Sequence, residues 1–252
     1  MSALSYLCEY ESNSEDSDCD NKNTSDVKKI KLHVPDLSDI VVAPRDTYKD
    51  NPEVHGYRIR SFPHERGNWA SFVYVKYPDV EFFNILIDKL QKELCCIEES
   101  WQPCEDIHIS LSKTFILKYH LITPFTSSLQ KIVSDTDCFD LAFDALKVYC
   151  NEEKTRTFVA LEVDYFCNKH LTKLSQKIDE VLKEYKLPKF HDNPSFHASL
   201  LWINGNKKTE LKNNLENLNI ILKQHLHEYS KTTCISRVNC KIGNKYFQYS
   251  FQ

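Results

Sequence analysis

Beyond about residue 55 the chain alternates two kinds of hydrophobic spacing. Residues 69–77 (WASFVYVKY) are aromatic and β-branched and predict a strand. Phe83, Ile87, Leu90, Leu94 and Ile97 recur at steps of three and four, which is one face of a helix. Residues 106–112 (DIHISLS) predict a second strand, and 124–133 a helix with Pro124 in its first turn. Residues 141–149 and 157–163 read as two more strands, and Leu171, Leu174, Ile178, Val181 and Tyr185 mark a second amphipathic helix. Residues 195–203 (SFHASLLWI) form another strand, followed by a third helix through Leu211, Leu215, Leu218, Leu222 and Leu226. Two terminal strands are expected near 233–240 and 246–251, joined by a turn at Gly243–Asn244. This order describes two similar halves, each with strands, a long amphipathic helix and one strand that carries a histidine and serines. The expected fold is α+β and two-lobed.

The start of the chain differs in kind. Residues 1–27 are rich in Ser, Asp, Glu and Asn, which cannot repay the entropy of ordering, so a disordered acidic tail is expected. Residues 28–54, with Pro35, Pro44 and Pro52, read as a linker, and 55–252 as the two-lobed domain. Lys28, Lys29 and Lys31 are either solvated charge or a nuclear import signal. Residues 1–26 carry a net charge of −6, which leaves +2 on the remainder of a chain whose total is −4. That body can accept a polyanion locally. No window approaches the ~20 apolar residues of a membrane span, and no basic stub precedes an apolar core, so neither a membrane nor a secretory route is expected. The ten cysteines lack a regular framework, which favours a reduced compartment.

The candidate chemistry lies in two histidines. His-x-[Ser/Thr] occurs three times, at His108, His170 and His197, and says little alone. A following Leu within a predicted strand leaves two instances, His108-Ile109-Ser110-Leu111 and His197-Ala198-Ser199-Leu200, set 89 residues apart in parallel halves. Residues at i and i+2 of a strand share a face, so each strand presents an imidazole and a hydroxyl together while Ile109, Ala198 and the leucines bury. Adjacent strands of this kind would converge two proton carriers and two hydrogen-bond donors, a set suited to a phosphodiester. A histidine in a strand is often only a hydrogen-bonded structural residue; the matched duplication favours function. A zinc site is disfavoured, because His-x-x-x-His, Cys-x-x-Cys and HExxH are all missing from the sequence. Neither metal nor cofactor is expected. His225 and His227 sit two apart on a helix and do not face each other, and Cys95-Cys96 reads as packing on its helix.

HxSLS and HxSLL in two halves resemble the two-histidine phosphoesterase superfamily. The longer runs at 55–70 (HGYRIRSFPHERGNWA), 151–163 (NEEKTRTFVALEV), 193–202 (NPSFHASLLW) and 240–247 (CKIGNKYF) narrow the likeness to the U6 small nuclear RNA phosphodiesterase family. That resemblance implies a bilobal fold, with two pseudo-symmetric lobes that each hold an antiparallel sheet and flanking helices around a central groove. It implies a metal-independent 3′→5′ exoribonuclease in the nucleus that trims the oligouridine 3′ end of this RNA and leaves a 2′,3′-cyclic phosphate. Its partner would be that RNA end, bound by a monomer.

Carried over by position, His108 and His197 are the catalytic pair and Ser110 and Ser199 the phosphate binders. His191, Glu152 and Ser195 are nucleotide-binding. His191 stands where relatives often have a stacking Tyr, and Glu152 where they can have Gln, which changes the base edge it pairs with. His197 is assigned as base and His108 as acid, an order that the symmetry of the motifs does not fix. Arg58, Arg60, His64, Arg66, Lys154 and Arg156 either bind RNA phosphates or line wet faces. Trp69 and Trp202 are expected to pack, and Tyr246 and Phe247 either line the groove or join the core. Two rivals remain: a 2′,3′-cyclic phosphodiesterase using the same histidines, and an RNA-end binding module without activity.

Overall fold

The hydrophobic alternation resolves into one continuous antiparallel sheet with helices on one face. A computed structural model describes residues 65–151, 153–229 and 232–252. The acidic tail, the linker, the Lys28–Lys31 cluster, Arg58, Arg60, His64 and Glu152 lie outside the described residues. The first half contributes β1 (Asn68–Lys76), α1 (Val80–Leu94), β2 (Gln102–Pro103), β3 (His108–Ser110), β4 (Phe115–Lys118) and α2 (Ile122–Val133). The second contributes β5 (Phe139–Cys150), β6 (Arg156–Val163), α3 (Tyr165–Glu184), β7 (His197–Asn204), α4 (Lys208–Lys212) and α5 (Leu215–Glu228). β8 (Thr232–Ile235), β9 (Arg237–Ile242) and β10 (Lys245–Ser250) close the chain.

The strand order is β10-β9-β1-β3-β7-β6-β5-β8, with β2 paired to β7 and β4 to β1. β3 and β7, the two histidine strands, are therefore neighbours at the middle of the sheet. β8 and β9 are separated by Ser236 alone, yet β8 pairs with β5 at one end of this order and β9 with β1 near the other. A one-residue link between distant strands requires the sheet to curl. The tail of the chain ties the curl shut: Phe251 N–H donates to the Ser236 carbonyl at 2.9 Å and Gln252 N–H to the Thr136 carbonyl at 3.0 Å.

Local sequence explains the helices. Asp79 and Asp164 cap α1 and α3 by accepting from the backbone N–H of Phe82 and Phe166. Phe82, Phe83, Leu86, Ile87, Leu90 and Leu94 make the apolar stripe of α1 and turn to the core. Val73, Val75, Ile109, Leu111, Leu161 and Ala198 of the sheet are buried against the helices. His225 of α5 is fully buried, and its Nε2–H donates to the Phe82 carbonyl at 2.9 Å.

Three expectations need correction. The third helix is two helices, with Asn213 and Asn214, residues of low helix propensity, standing between α4 and α5. The strand expected over 233–240 is likewise two strands, divided at Ser236, that serve different parts of the sheet. Cys95 and Cys96 do not pack on α1; the helix ends at Leu94 and both are exposed, as is Ile97 beyond them.

The turn at Gly243–Asn244 joins β9 to β10 as expected. Gly243 has φ +58°, and a Cβ there would meet Trp69 at 2.6 Å. Gly243→Ala should cost about 1–2 kcal/mol from the left-handed backbone alone, plus a shift of the Trp69 ring. Urea denaturation checks this, and an unchanged midpoint would refute it.

Candidate active site

The site is built by the register of β3 on β7. Ile109 pairs with Ala198, antiparallel, and both side chains are buried on the helix face. Strand alternation then sends His108, Ser110, His197 and Ser199 to the opposite face. The same register sets His108 level with Ser199, and Ser110 level with His197, so the imidazoles lie on one diagonal and the hydroxyls on the other. The two rings are close enough that charge on His108 disfavours charge on His197. Neither the Ser110 nor the Ser199 hydroxyl bonds a side chain or backbone group among the described residues. The second serine of the first motif, Ser112, is different: it is buried and accepts from Val73 N–H at 2.9 Å.

Each imidazole is held the same way. His108 Nδ1 lies 2.7 Å from the Asp106 carbonyl and His197 Nδ1 lies 2.7 Å from the Ser195 carbonyl. A carbonyl only accepts, so each Nδ1 carries a proton and each Nε2 is the nitrogen left to take up or give a proton. Aromatic rings fix the planes. Tyr149 stacks on His197 with centroids 3.9 Å apart and 15° between planes, and its Oη lies 2.8 Å from Ser195 Oγ. Tyr74 meets His108 edge-on at 5.1 Å, and Phe72 lies 5.4 Å from the same ring.

The electrostatic surroundings differ. Burial lowers the pKa of both histidines below the ordinary value, opposed by the hydrogen bond each Nδ1–H makes to its carbonyl. Beside His197, Glu162 is the cross-strand partner on β6 and favours the charged ring, while His108 and His191 disfavour it. Beside His108, Lys76 is the cross-strand partner on β1; Lys76 and Lys241 disfavour the charged ring, while Asp106 favours it. Lys76 pairs with Asp106 at 3.0 Å and Lys147 with Glu162 at 2.5 Å, so both carboxylates sit in ion pairs. Burial pushes the Tyr74 hydroxyl up to about 12, so it stays protonated and can only serve as a neutral hydrogen-bonding group.

The other expected residues are scattered around this centre. His191 is exposed on the loop before β7, with its ring 4.9 Å from Phe190. Ser195 precedes β7 and is committed to Tyr149 through its hydroxyl and to His197 through its carbonyl. Arg156 lies over the Trp202 ring at 4.1 Å, so Trp202 is a platform for a cation and not solely a packing residue. Phe247 packs against the core, whereas Tyr246 is exposed. Tyr149, Glu162, Tyr74 and Lys76 carry no mark in the sequence, because only the pairing of distant strands brings them to the histidines. Among the described residues no three His, Cys, Asp or Glu side chains gather at metal-binding range.

Comparison with known proteins adds a family. Residues 32–250 match the model of the HVSL family, described as an uncharacterised conserved protein. The U6 snRNA phosphodiesterase 1 of Drosophila melanogaster is 36% identical over 267 aligned positions that span all of both chains. The human protein of the same name is 32% identical over 238 positions, covering 90% of this chain and 86% of its own. Among solved structures, Usb1 of Kluyveromyces marxianus superposes with a TM-score of 0.53 at 12% identity, covering 75% of this chain and all of its own, a likeness of fold.

Because burial lowers both histidine pKa values, the unfolded chain binds protons that the folded chain refuses just below pH 6.5. Their share of stability is present above that pH and is lost as pH falls through the folded values. In an NMR titration of the histidine Cε1 protons, both rings should show midpoints below 6.5. Glu162→Gln should lower the His197 midpoint further and move His108 much less, through the coupling of the two rings alone. Midpoints at or above 6.5 would contradict this account.

Proposed function

The chain belongs to the U6 snRNA phosphodiesterase family, and from that premise we propose that it trims the oligouridine 3′ end of this RNA in the nucleus. The reaction is a metal-independent transesterification. The 2′-hydroxyl of the penultimate nucleotide attacks the adjacent phosphorus, the 5′-oxygen of the terminal nucleoside leaves, and the RNA keeps a 2′,3′-cyclic phosphate. One imidazole enters neutral and takes the 2′-hydroxyl proton on Nε2, while the other enters as the imidazolium and gives its Nε2 proton to the leaving oxygen, so the proton count balances. All four groups come from one chain, so a monomer suffices.

The observation that carries this reading is the diagonal pair of imidazoles, each with Nδ1–H tied to a carbonyl and Nε2 directed outward. His197 is the base. Glu162 across the strand stabilises the imidazolium that forms when His197 takes its proton. His108 is the acid; Asp106 beside it supports the imidazolium that carries the proton, and Lys76 and Lys241 favour its release to the leaving oxygen. Ser110 and Ser199 donate to the non-bridging oxygens as negative charge builds on them. His191 stacks on the terminal base and Ser195 borders that nucleoside.

His108→Ala and His197→Ala should each reduce trimming of oligouridine RNA by about 10²–10⁴-fold while leaving the thermal unfolding midpoint above the assay temperature. Ser110→Ala and Ser199→Ala should cost about 10²-fold each. An RNA with a 2′-deoxy penultimate sugar lacks the nucleophile and should be inert. Retained activity in His108→Ala, or cleavage of the deoxy substrate, would overturn the mechanism. End-group analysis should find a cyclic phosphate on the shortened RNA; an open monophosphate would point instead to a cyclic phosphodiesterase step.

A further inference from the structure

Two and three strands away from β3, the β9–β10 hairpin carries, beside Lys241, an exposed Tyr246 that the chemistry just described does not use. We infer that its histidine-side face is a binding site for the RNA segment 5′ of the scissile linkage, with Lys241 taking a backbone phosphate and Tyr246 stacking on a base. This deepens the trimming assignment and rests on it.

The strand register supplies a continuous path. Phe72, whose ring lies 5.4 Å from that of His108, pairs with Lys241 on β9, and Lys241 pairs with Tyr246 on β10. Paired residues share a face, so Phe72, Lys241 and Tyr246 extend the face that bears His108. In the next row Tyr74 pairs with Asn239 and Asn239 with Gln248, which sets two side-chain amides beside the lysine and the tyrosine. Three strand spacings put Tyr246 roughly 14 Å from β3, beyond the scissile phosphate and within reach of the phosphates that precede it.

The chemistry of this face suits a single-stranded polyanion. Tyr246 is 62% exposed, whereas its neighbour Phe247 packs against the core. Lys241 Nζ lies 5.1 Å from the centre of the Tyr246 ring, so cation and π-face are offered together. Arg237 and Lys241 share this face, Lys245 lies on the other over the Trp69 ring, and residues 237–252 contain no Asp or Glu. The nearby Asp106 carboxylate is already paired with Lys76, so a sugar phosphate chain meets a hairpin with cations and no carboxylate of its own. Polarity follows from the reaction: a 3′-end trimming enzyme has only one nucleoside beyond the scissile linkage, so an extended surface serves the 5′ side.

The test uses fluorescein-labelled decauridine with a 2′-deoxy penultimate sugar, which binds without being cleaved, and the matching dinucleotide, which is too short to reach the hairpin. In Tyr246→Ala the affinity for the decamer should fall about fivefold or more, and the decamer-to-dinucleotide affinity ratio should fall with it. Tyr246→Phe keeps the ring and should restore the decamer affinity to within about twofold of the parent. Lys241→Gln should reduce the slope of log affinity against log salt by about 0.7, the loss of one single-strand phosphate contact. Unchanged decamer affinity in Tyr246→Ala, or an equal fall for both ligands, would overturn the inference. Because the ligand is uncleavable, these outcomes are separate from those for trimming: a parent protein that binds the decamer but fails to cut the all-ribose RNA would sink the trimming mechanism alone.

Discussion

One short antiparallel contact, Ile109 against Ala198, governs the rest of the molecule. It joins the strands of the first half to those of the second and fixes their relative register. Both side chains are buried among Leu111, Leu200 and Leu161, so the register is enforced by the core and not by the few backbone bonds at the junction. A slip of one residue would turn His108 and Ser110 into that core and expose Ile109. Burying polar groups without partners costs several kcal/mol, which makes the slipped state inaccessible. The geometry of the four polar groups is therefore a by-product of hydrophobic packing on the other side of the sheet.

On that frame the two histidines are nearly equivalent in position and unlike in surroundings. Both bond through Nδ1 to the carbonyl two residues earlier, and both lean on aromatic rings. The neighbours across the strand differ in sign, Glu162 at His197 and Lys76 at His108. Each ring has a Lys–carboxylate ion pair beside it, Lys76–Asp106 at His108 and Lys147–Glu162 at His197, with the lysine directly across the strand in the first and the carboxylate in the second. Aromatic clamping adds a second constraint, since a ring packed on an aromatic neighbour and hydrogen-bonded through Nδ1 cannot turn freely.

The curl of the sheet has its own cause. β8 and β9 follow one another with a single residue between them, yet they pair with β5 and β1 respectively. The backbone of the last residues, bonded to Ser236 and Thr136, keeps the two ends of the sheet together. The turn at Gly243 sets the β9–β10 hairpin beside Trp69, with no room there for a Cβ.

Much of this was legible in the residues. Period-two alternation located β1, β5, β6 and β7 to within a few residues, and the spacing of Phe83, Ile87, Leu90 and Leu94 located α1, because each pattern is the local signature of an element with one buried face. The duplicated His-x-Ser-Leu marked the two strands that meet at the middle of the sheet, since strand geometry alone puts His and Ser on one face. Tandem asparagines broke a helix that leucine spacing had joined, and Ser236 divided a strand that composition had left whole. Residue order is enough to say which side chains share a strand face and which faces seek the core. It took the folded chain to lay β3 against β7, to stack Tyr149 on His197, and to give the two histidines different fields through Glu162 and Lys76. Those facts depend on the pairing of residues far apart in the chain, and hydrophobic spacing encodes the burial of a face without encoding its partner.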